Sequence, residues 1–406
     1  RFSERGFSAD ELNVGFGDSI GALTVAVGDY TSRSEHLVEA SLRGRFPVRQ
    51  LIEKHEPTQW LLPWMSGVSD WAVTLNVPRT EDGEASQPKL RVRSDLVGIE
   101  IGLPAPLRKA ASDRMPMEMS FGLPVGSSDL SLRLGGLLRL QGGIEKQTGF
   151  RGVALFGDAA DVSMPARGLH VAGQIPVLDA AAWAAVSRGE GGSNSLHVTS
   201  VDLFAGELNL LGRPFRETRV KMTQSVDHMA LQFEGEPLAG KVSIPLESLM
   251  LKGITGRFER LYWPEVEALA SASQNEGEVF WPSSIPPLHF EIADARFSGA
   301  SLGTLWLETH PTSNGLHVER LDTHSLGVDI KAKGAWTRVG DKERSNIGLD
   351  FSSRNTGAML ESLGFSRLIE SESTHGQLQL AWEGAPGAFD WDKTQGQLQL
   401  NVGQGR

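Results

Sequence analysis

The sequence predicts a mainly β protein, and three observations carry that expectation. Apolar and polar residues alternate with a period of two in many short runs, 46 glycines fall between those runs as punctuation, and stretches with helical spacing are few. Successive side chains of a strand point to opposite faces, so each alternating run has one apolar side and one side suited to water.

The runs are distributed along the whole chain. Trp71, Val73, Leu75 and Val77 alternate with Ala72, Thr74 and Asn76, and Met115, Met117, Met119, Phe121 and Leu123 repeat the pattern. Leu130, Leu132 and Leu134 follow, then Met229, Leu231 and Phe233, Val328, Ile330 and Ala332, and Ile347, Leu349 and Phe351. Near the end Gly376-Gln377-Leu378-Gln379-Leu380 recurs as Gly396-Gln397-Leu398-Gln399-Leu400, the offset of a hairpin or solenoid unit.

Short helices are expected near 48–55 and 178–188, each where a strand meets proline: Phe46-Pro47-Val48 and Ile175-Pro176-Val177. Proline suits a helix start because its missing N–H is one the first turn leaves unpaired. Asp179 is the expected cap of the helix holding Ala180 to Val186. Further helices are expected at Pro264 to Ala270 and near 357–369, the latter with Met359, Leu360, Leu363 and Leu368 at helical spacing. The organisation read from these signals is a set of extended β modules over 1–273, a proline-rich linker or bend over 274–287, and a continuing β module over 288–406.

Composition narrows the function classes. With 39 Lys and Arg against 50 Asp and Glu, the net charge of −11 lacks the basic surplus that nucleic-acid binding needs. The absence of cysteine removes disulfides, thiolate metal sites and cysteine nucleophiles together. No window approaches the roughly 18 consecutive apolar residues of a membrane-spanning helix, so any anchor is expected outside this piece, which opens on Arg1 and is read as a fragment of a longer protein. A transmembrane β-barrel would carry aromatic girdles, and two tyrosines in 406 residues argue against one.

The catalytic motifs fail on their own chemistry. Gly235-Glu236-Pro237-Leu238-Ala239-Gly240-Lys241 has P-loop spacing, but Val242 stands where the magnesium-binding hydroxyl belongs and Pro237 removes a phosphate-facing N–H, so it is read as a hairpin loop. Gly15-Phe16-Gly17 has Ile20 at the third glycine position of a dinucleotide fingerprint and reads as a tight turn. His310, His317 and His324, spaced by seven, are taken as scattered surface histidines whose spacing fits neither a helical ligand pair nor a hairpin. Asp390 and Asp392 flank Trp391, a weak glycosidase signal without a second carboxylate pair. The chain is therefore expected to be no enzyme, with no metal and no cofactor.

Several stretches, taken in order, resemble one family. Leu103-Pro104-Ala105-Pro106-Leu107-Arg108-Lys109-Ala110, then Gly173-Gln174-Ile175-Pro176-Val177-Leu178-Asp179 with Trp183, are similar to the YhdP branch of the AsmA-like envelope proteins. Ile285-Pro286-Pro287-Leu288, the segment Ala300 to Trp336, and Leu363-Gly364-Phe365 through Trp382-Glu383-Gly384-Ala385-Pro386 continue the resemblance. It implies an elongated, bent antiparallel β-sheet forming a hydrophobic groove, taco-like, with a few short helices. It also implies a periplasmic piece of a protein anchored in the inner membrane through a region outside this piece. Its implied work is to carry phospholipids between inner and outer membrane and so support lipid homeostasis and the permeability barrier, with envelope proteins as further partners. The groove candidates on that implication are Trp71, Val73, Leu75, Met117, Met119, Leu132, Val328, Ile330, Leu378 and Leu380. Alternation alone fits equally an apolar face packed by protein, as in a β-rich scaffold that binds protein partners or glycan.

Overall fold

In the computed structural model, the described residues are 1–17, 19–54, 56–79, 87–124, 130–145, 149–188, 197–264, 281–340, 342–367 and 371–404. The chain divides into two compact units, Arg1–Asn209 and Leu210–Arg406.

The first unit holds β1 (Phe2–Ser3), β2 (Gly6–Phe16), β3 (Ser19–Gly28), β4 (His36–Pro47), helix α1 (Val48–Ile52), β5 (Met65–Pro78), β6 (Lys89–Ser94) and β7 (Ile99–Ile101). It continues through β8 (Met117–Gly122), β9 (Leu130–Leu134), β10 (Leu138–Glu145), β11 (Gly149–Phe156), β12 (Gly168–Asp179), α2 (Ala180–Arg188) and β13 (Val198–Leu210). Hydrogen-bonded neighbours run β2, β3, β4, β5, β6, β8, β9, β10, β11 in antiparallel order. Two parallel pairings, β11 with β12 and β12 with β13, extend that sheet.

The second unit holds β14 (Arg213–Gln224), β15 (His228–Glu234), β16 (Leu238–Pro245), α3 (Leu249–Lys252), β17 (Ile254–Trp263), β18 (Leu288–Phe297) and β19 (Ala300–Thr312). It closes with β20 (Gly315–His324), β21 (Asp329–Val339), β22 (Lys342–Ser353), α4 (Thr356–Ser362), β23 (Thr374–Glu383) and β24 (Gln395–Val402). These strands pair in chain order, antiparallel except for β17 beside β18. The chain is thus mainly β, with open, mostly antiparallel sheet and few short helices, as its alternation predicts. The parallel pairs are an addition that no local pattern announces.

Parallel strands are expected to be covered on both faces; β11 is buried at every position from Gly152 to Phe156, whereas β12 is buried only in part, with Gln174 and Pro176 exposed. Val153, Leu155 and Ala172 point away from the main apolar face and form their own small cluster with Ala159. The helices also differ in detail from the expectation. The Asp179 carboxylate accepts the Ala182 N–H at 2.9 Å and caps α2 as predicted. Pro47 directly precedes α1, but Pro176 lies inside β12. There the ladder to β11 has ended at Gly173, so the strand is paired on one side and the missing N–H costs nothing. α4 is shorter than its apolar spacing suggested, ending at Ser362, with Asn355 capping the Ala358 N–H at 2.9 Å. Residues 274–280 of the proline-rich stretch and all but Pro264 of the helix expected over Pro264 to Ala270 lie outside the described residues. Pro282–Ser284 forms a turn of 3-10 helix, and Pro287 accepts the Ile254 N–H at 2.7 Å as β18 begins.

Candidate functional site

Register turns local alternation into a surface. In the first unit Leu12, Leu23, Leu42, Val73, Val92, Met119, Leu132, Leu140, Ala154, Val171 and Val201 succeed one another as cross-strand partners over eleven strands. In the second unit Met222, Leu231, Val242, Gly256, Phe290, Leu307, Leu321, Ala332, Leu349, Leu378 and Leu398 do the same. Directly paired residues share a face, so each line is one unbroken apolar row without a charged member. At about 4.8 Å per strand, ten steps give each row a reach of roughly 48 Å.

The residues one position away make the other face. Thr24, Ser41, Thr74, Arg91, Ser120, Ser131 and Gln141 form the matching polar row in the first unit. Lys221, Gln232, Lys241, Arg257, Glu291, Trp306, Asp322, Lys331, Asp350, Gln377 and Gln399 form it in the second. Each unit therefore separates an apolar from a polar face with one thickness of backbone between them.

The candidate residues distribute as follows. Val73, Met119 and Leu132 lie in the first unit's apolar row, and Leu75 lies in the next row beside Ala40 and Leu90. All four keep partial exposure. Met117 faces Leu134 one row further and, with Trp71, meets a protein cluster formed by Phe46, Val48, Ile52, Leu96, Ile99, Ile101 and Leu103. Trp71 is only 7% exposed, and its indole N–H reaches the Phe46 carbonyl at 3.0 Å. In the second unit Ile330, Leu378 and Leu380 occupy neighbouring rows with partial exposure. Val328 stands apart, in the turn before β21 at 2% exposure, its carbonyl taken by Ser325. Leu12, Leu23, Leu42, Val92 and Leu140 complete the first row although their strands gave a weaker alternating signal, and only the pairing register reveals them.

The end of the apolar face beside Trp71 is closed by the segment 95–116. Lys109 is buried there at 3% exposure, and its ammonium donates to the carbonyls of Ile99 at 2.7 Å and Ala110 at 2.8 Å. Burial pushes its pKa down, against the opposing pull of Asp113 and Asp95. Two open clefts lie on the polar faces instead, one of about 780 Å3 around Lys241, Arg257 and Trp306 and one of about 660 Å3 around Arg43, Arg93 and Arg133.

The motifs set aside in the sequence have structural explanations. Residues 235–237 are the turn of the β15–β16 hairpin. His310 and His317, whose spacing seemed to fit no hairpin, are direct partners across β19 and β20 with ring centroids 5.3 Å apart, because a two-residue turn at Ser313 and Asn314 makes seven a hairpin separation. His310 pairs with Glu319 at 3.1 Å, and His324 hydrogen-bonds Asp329. Among the described residues no three His, Asp or Glu side chains are grouped as metal ligands would be. Asp390 is held by Lys393 at 2.9 Å and kept below the usual carboxylate range by that bond.

No curated protein and no solved structure matches the chain. The family model described as the YhdP protein matches residues 1–406, the whole chain. A sheet that sorts apolar from polar side chains strand after strand, matched over its full length by that model, places this chain in the YhdP protein family.

Proposed function

We propose that the chain is a non-catalytic lipid conduit of the periplasm, carrying phospholipids along its apolar face between inner and outer membrane. In this reading it sustains the outer membrane's lipid balance and permeability barrier, and regions outside this piece engage the two membranes. The observation that supports it is the charge-free apolar row of each unit, whose large members in the first unit all keep partial exposure. A face packed only for stability would bury them.

Each methylene removed from water onto such a face gains about 0.8 kcal/mol. A chain of ten carbons thus gains several kcal/mol without any specific bond. Movement needs many similar weak positions instead of one deep pocket, and Leu, Val, Ile, Met and Phe repeated at every strand supply them.

The test is photocrosslinking in the full-length protein in cells, with a photoreactive residue at Ile330 or at its neighbour Lys331. Phospholipid adduct at 330 and not at 331 supports the conduit. If apolar positions in both units capture protein and no lipid, the face is a packing surface and a scaffold reading replaces this one.

A further inference from the structure

We propose that the polar face of the first unit carries a binding site for a phosphorylated saccharide, in the 660 Å3 cleft bordered by Arg43, Arg93, Arg114, Arg133, Asp70 and Asp95. The register builds it. Arg43 pairs with Ala72, Ala72 with Arg93, Arg93 with Glu118, and Glu118 with Arg133. Guanidinium groups therefore rise from β4, β6 and β9 at two-strand intervals, roughly 10 Å apart. Arg114, from the segment before β8, also lines the cleft.

Charge pairing within the protein leaves this cluster unfinished. Arg93 is matched by Glu118 at 3.1 Å, which also takes Arg91 at 3.2 Å. The side chains of Arg43, Arg114 and Arg133 have no hydrogen-bond or ion-pair partner among the described residues. Arg43, Arg93, Arg114 and Arg133 outnumber Asp70, Asp95 and Glu118 in the lining, a positive excess in a chain whose net charge is −11. Planar guanidinium forks match phosphate and carboxylate oxygens bidentately, so the missing partner is an anion.

The carboxylates between them refine the ligand. Asp70 is exposed and also lacks a partner among the described residues, while Asp95 accepts the Val97 N–H at 3.1 Å and borders the same cleft. A ligand made of anionic groups alone would be repelled by these acids. A saccharide that carries phosphate offers oxyanions to the arginines and hydroxyl donors to the aspartates.

The arginines lie on the face opposite the first unit's apolar row, since Ala72, Arg93 and Glu118 alternate with Val73, Val92 and Met119. Trp71 and Met117 also border the cleft, where the two faces come closest.

Calorimetric titration of the whole 406-residue chain with fructose 1,6-bisphosphate, glucose and inorganic phosphate tests the assignment. Saturable binding of the bisphosphate, weakened at least about tenfold in Arg43→Gln and in Arg133→Gln, is the expected result, since each loses a charge-assisted contact. Lys331→Gln, on the polar face of the second unit, is expected to bind as the parent does. Loss of preference for bisphosphate over inorganic phosphate in Asp70→Asn supports the hydroxyl-accepting role. Inorganic phosphate binding as tightly as the bisphosphate to the parent overturns the saccharide assignment. Absence of saturable binding, or equal affinity in the arginine variants and the parent, overturns the site itself.

Discussion

Trp183 and Ala105 are 78 positions apart in the chain, yet the Trp183 indole N–H donates a 2.8 Å hydrogen bond to the Ala105 carbonyl. The bond ties α2 to the segment that closes one end of the first unit's apolar face, and Val186 on the same helix packs against the cluster beneath. Two of the short stretches that carried the family resemblance thus meet in space.

Trp183→Phe keeps most of the ring and removes the donor, so it is expected to destabilise this closure by about 1 kcal/mol; Trp183→Ala, which also empties part-buried volume, is expected to cost about 3 kcal/mol. Hydrogen exchange of amides in 103–111 and 180–186 measures both. Exchange unchanged from the parent in Trp183→Ala would show that the contact holds nothing.

A charge placed in the apolar row separates the two faces functionally. Leu132→Arg is expected to abolish retention of a fluorescent phospholipid by the purified chain, because a buried guanidinium without a partner costs several kcal/mol. Ser131→Arg, on the polar face beside Ser120, is expected to retain it. Equal retention by the two variants would count against the conduit.

The space left by glycines in the apolar rows is filled by neighbouring aromatic rings, from the facing strand at Gly376 and from two residues further along the same strand at Gly44. A Cβ on Gly376 would stand 2.2 Å from the Phe351 ring, and one on Gly44 would stand 2.5 Å from the Phe46 ring. Phe351 and Gly376 are cross-strand partners, so the aromatic ring fills the space the glycine leaves. Gly376→Val is expected to destabilise the second unit by about 1–3 kcal/mol through overpacking, read as a fall in the denaturation midpoint. Gly348→Ala, where nothing stands within 4 Å of the added carbon, is the matched control and should shift it far less.

Acid acts on the first unit through Glu39. Burial raises its pKa, but hydrogen bonds from the Ser32 hydroxyl at 2.6 Å and backbone N–H at 2.8 Å, with His36 and the Arg33 N–H, outweigh that and bring it down to about 2. A carboxylate depressed in the folded state contributes stability above its unfolded value of 4.5, and that contribution is lost as pH falls through about 2. With solvent screening of a partly exposed group, the contribution is about 1–2 kcal/mol at neutral pH. Glu39→Gln should therefore be less stable than the parent at pH 7, and the gap should narrow as the pH is lowered toward 3. A gap independent of pH would assign the effect to packing.

Much of this architecture is legible in residue order. The alternation at Trp71 to Val77, Met117 to Phe121 and Ile347 to Phe351 needs only the two-residue period of a strand, and Asp179 before an alanine-rich run needs only the geometry of an N-cap. The same local rule could not distinguish Val328 from Ile330. One is sealed in a turn and the other lies in β21, and what separates them is a turn bonded through Ser325.

The apolar and polar faces of each strand were determined by the sequence, because the sign of alternation is a property of consecutive residues. Which strands lie side by side, and therefore that Leu12 and Val201 end one continuous row, was decided only by tertiary register: pairing joins residues remote in the chain, and a shift of one position would turn every side chain over. The parallel placement of β12 beside β11, the burial of Trp71 beneath the segment 95–116, and the gathering of Arg43, Arg93 and Arg133 at one cleft follow from the same cause. Their distances are set by hydrogen bonds between strands, to which the order of residues along any single strand is blind.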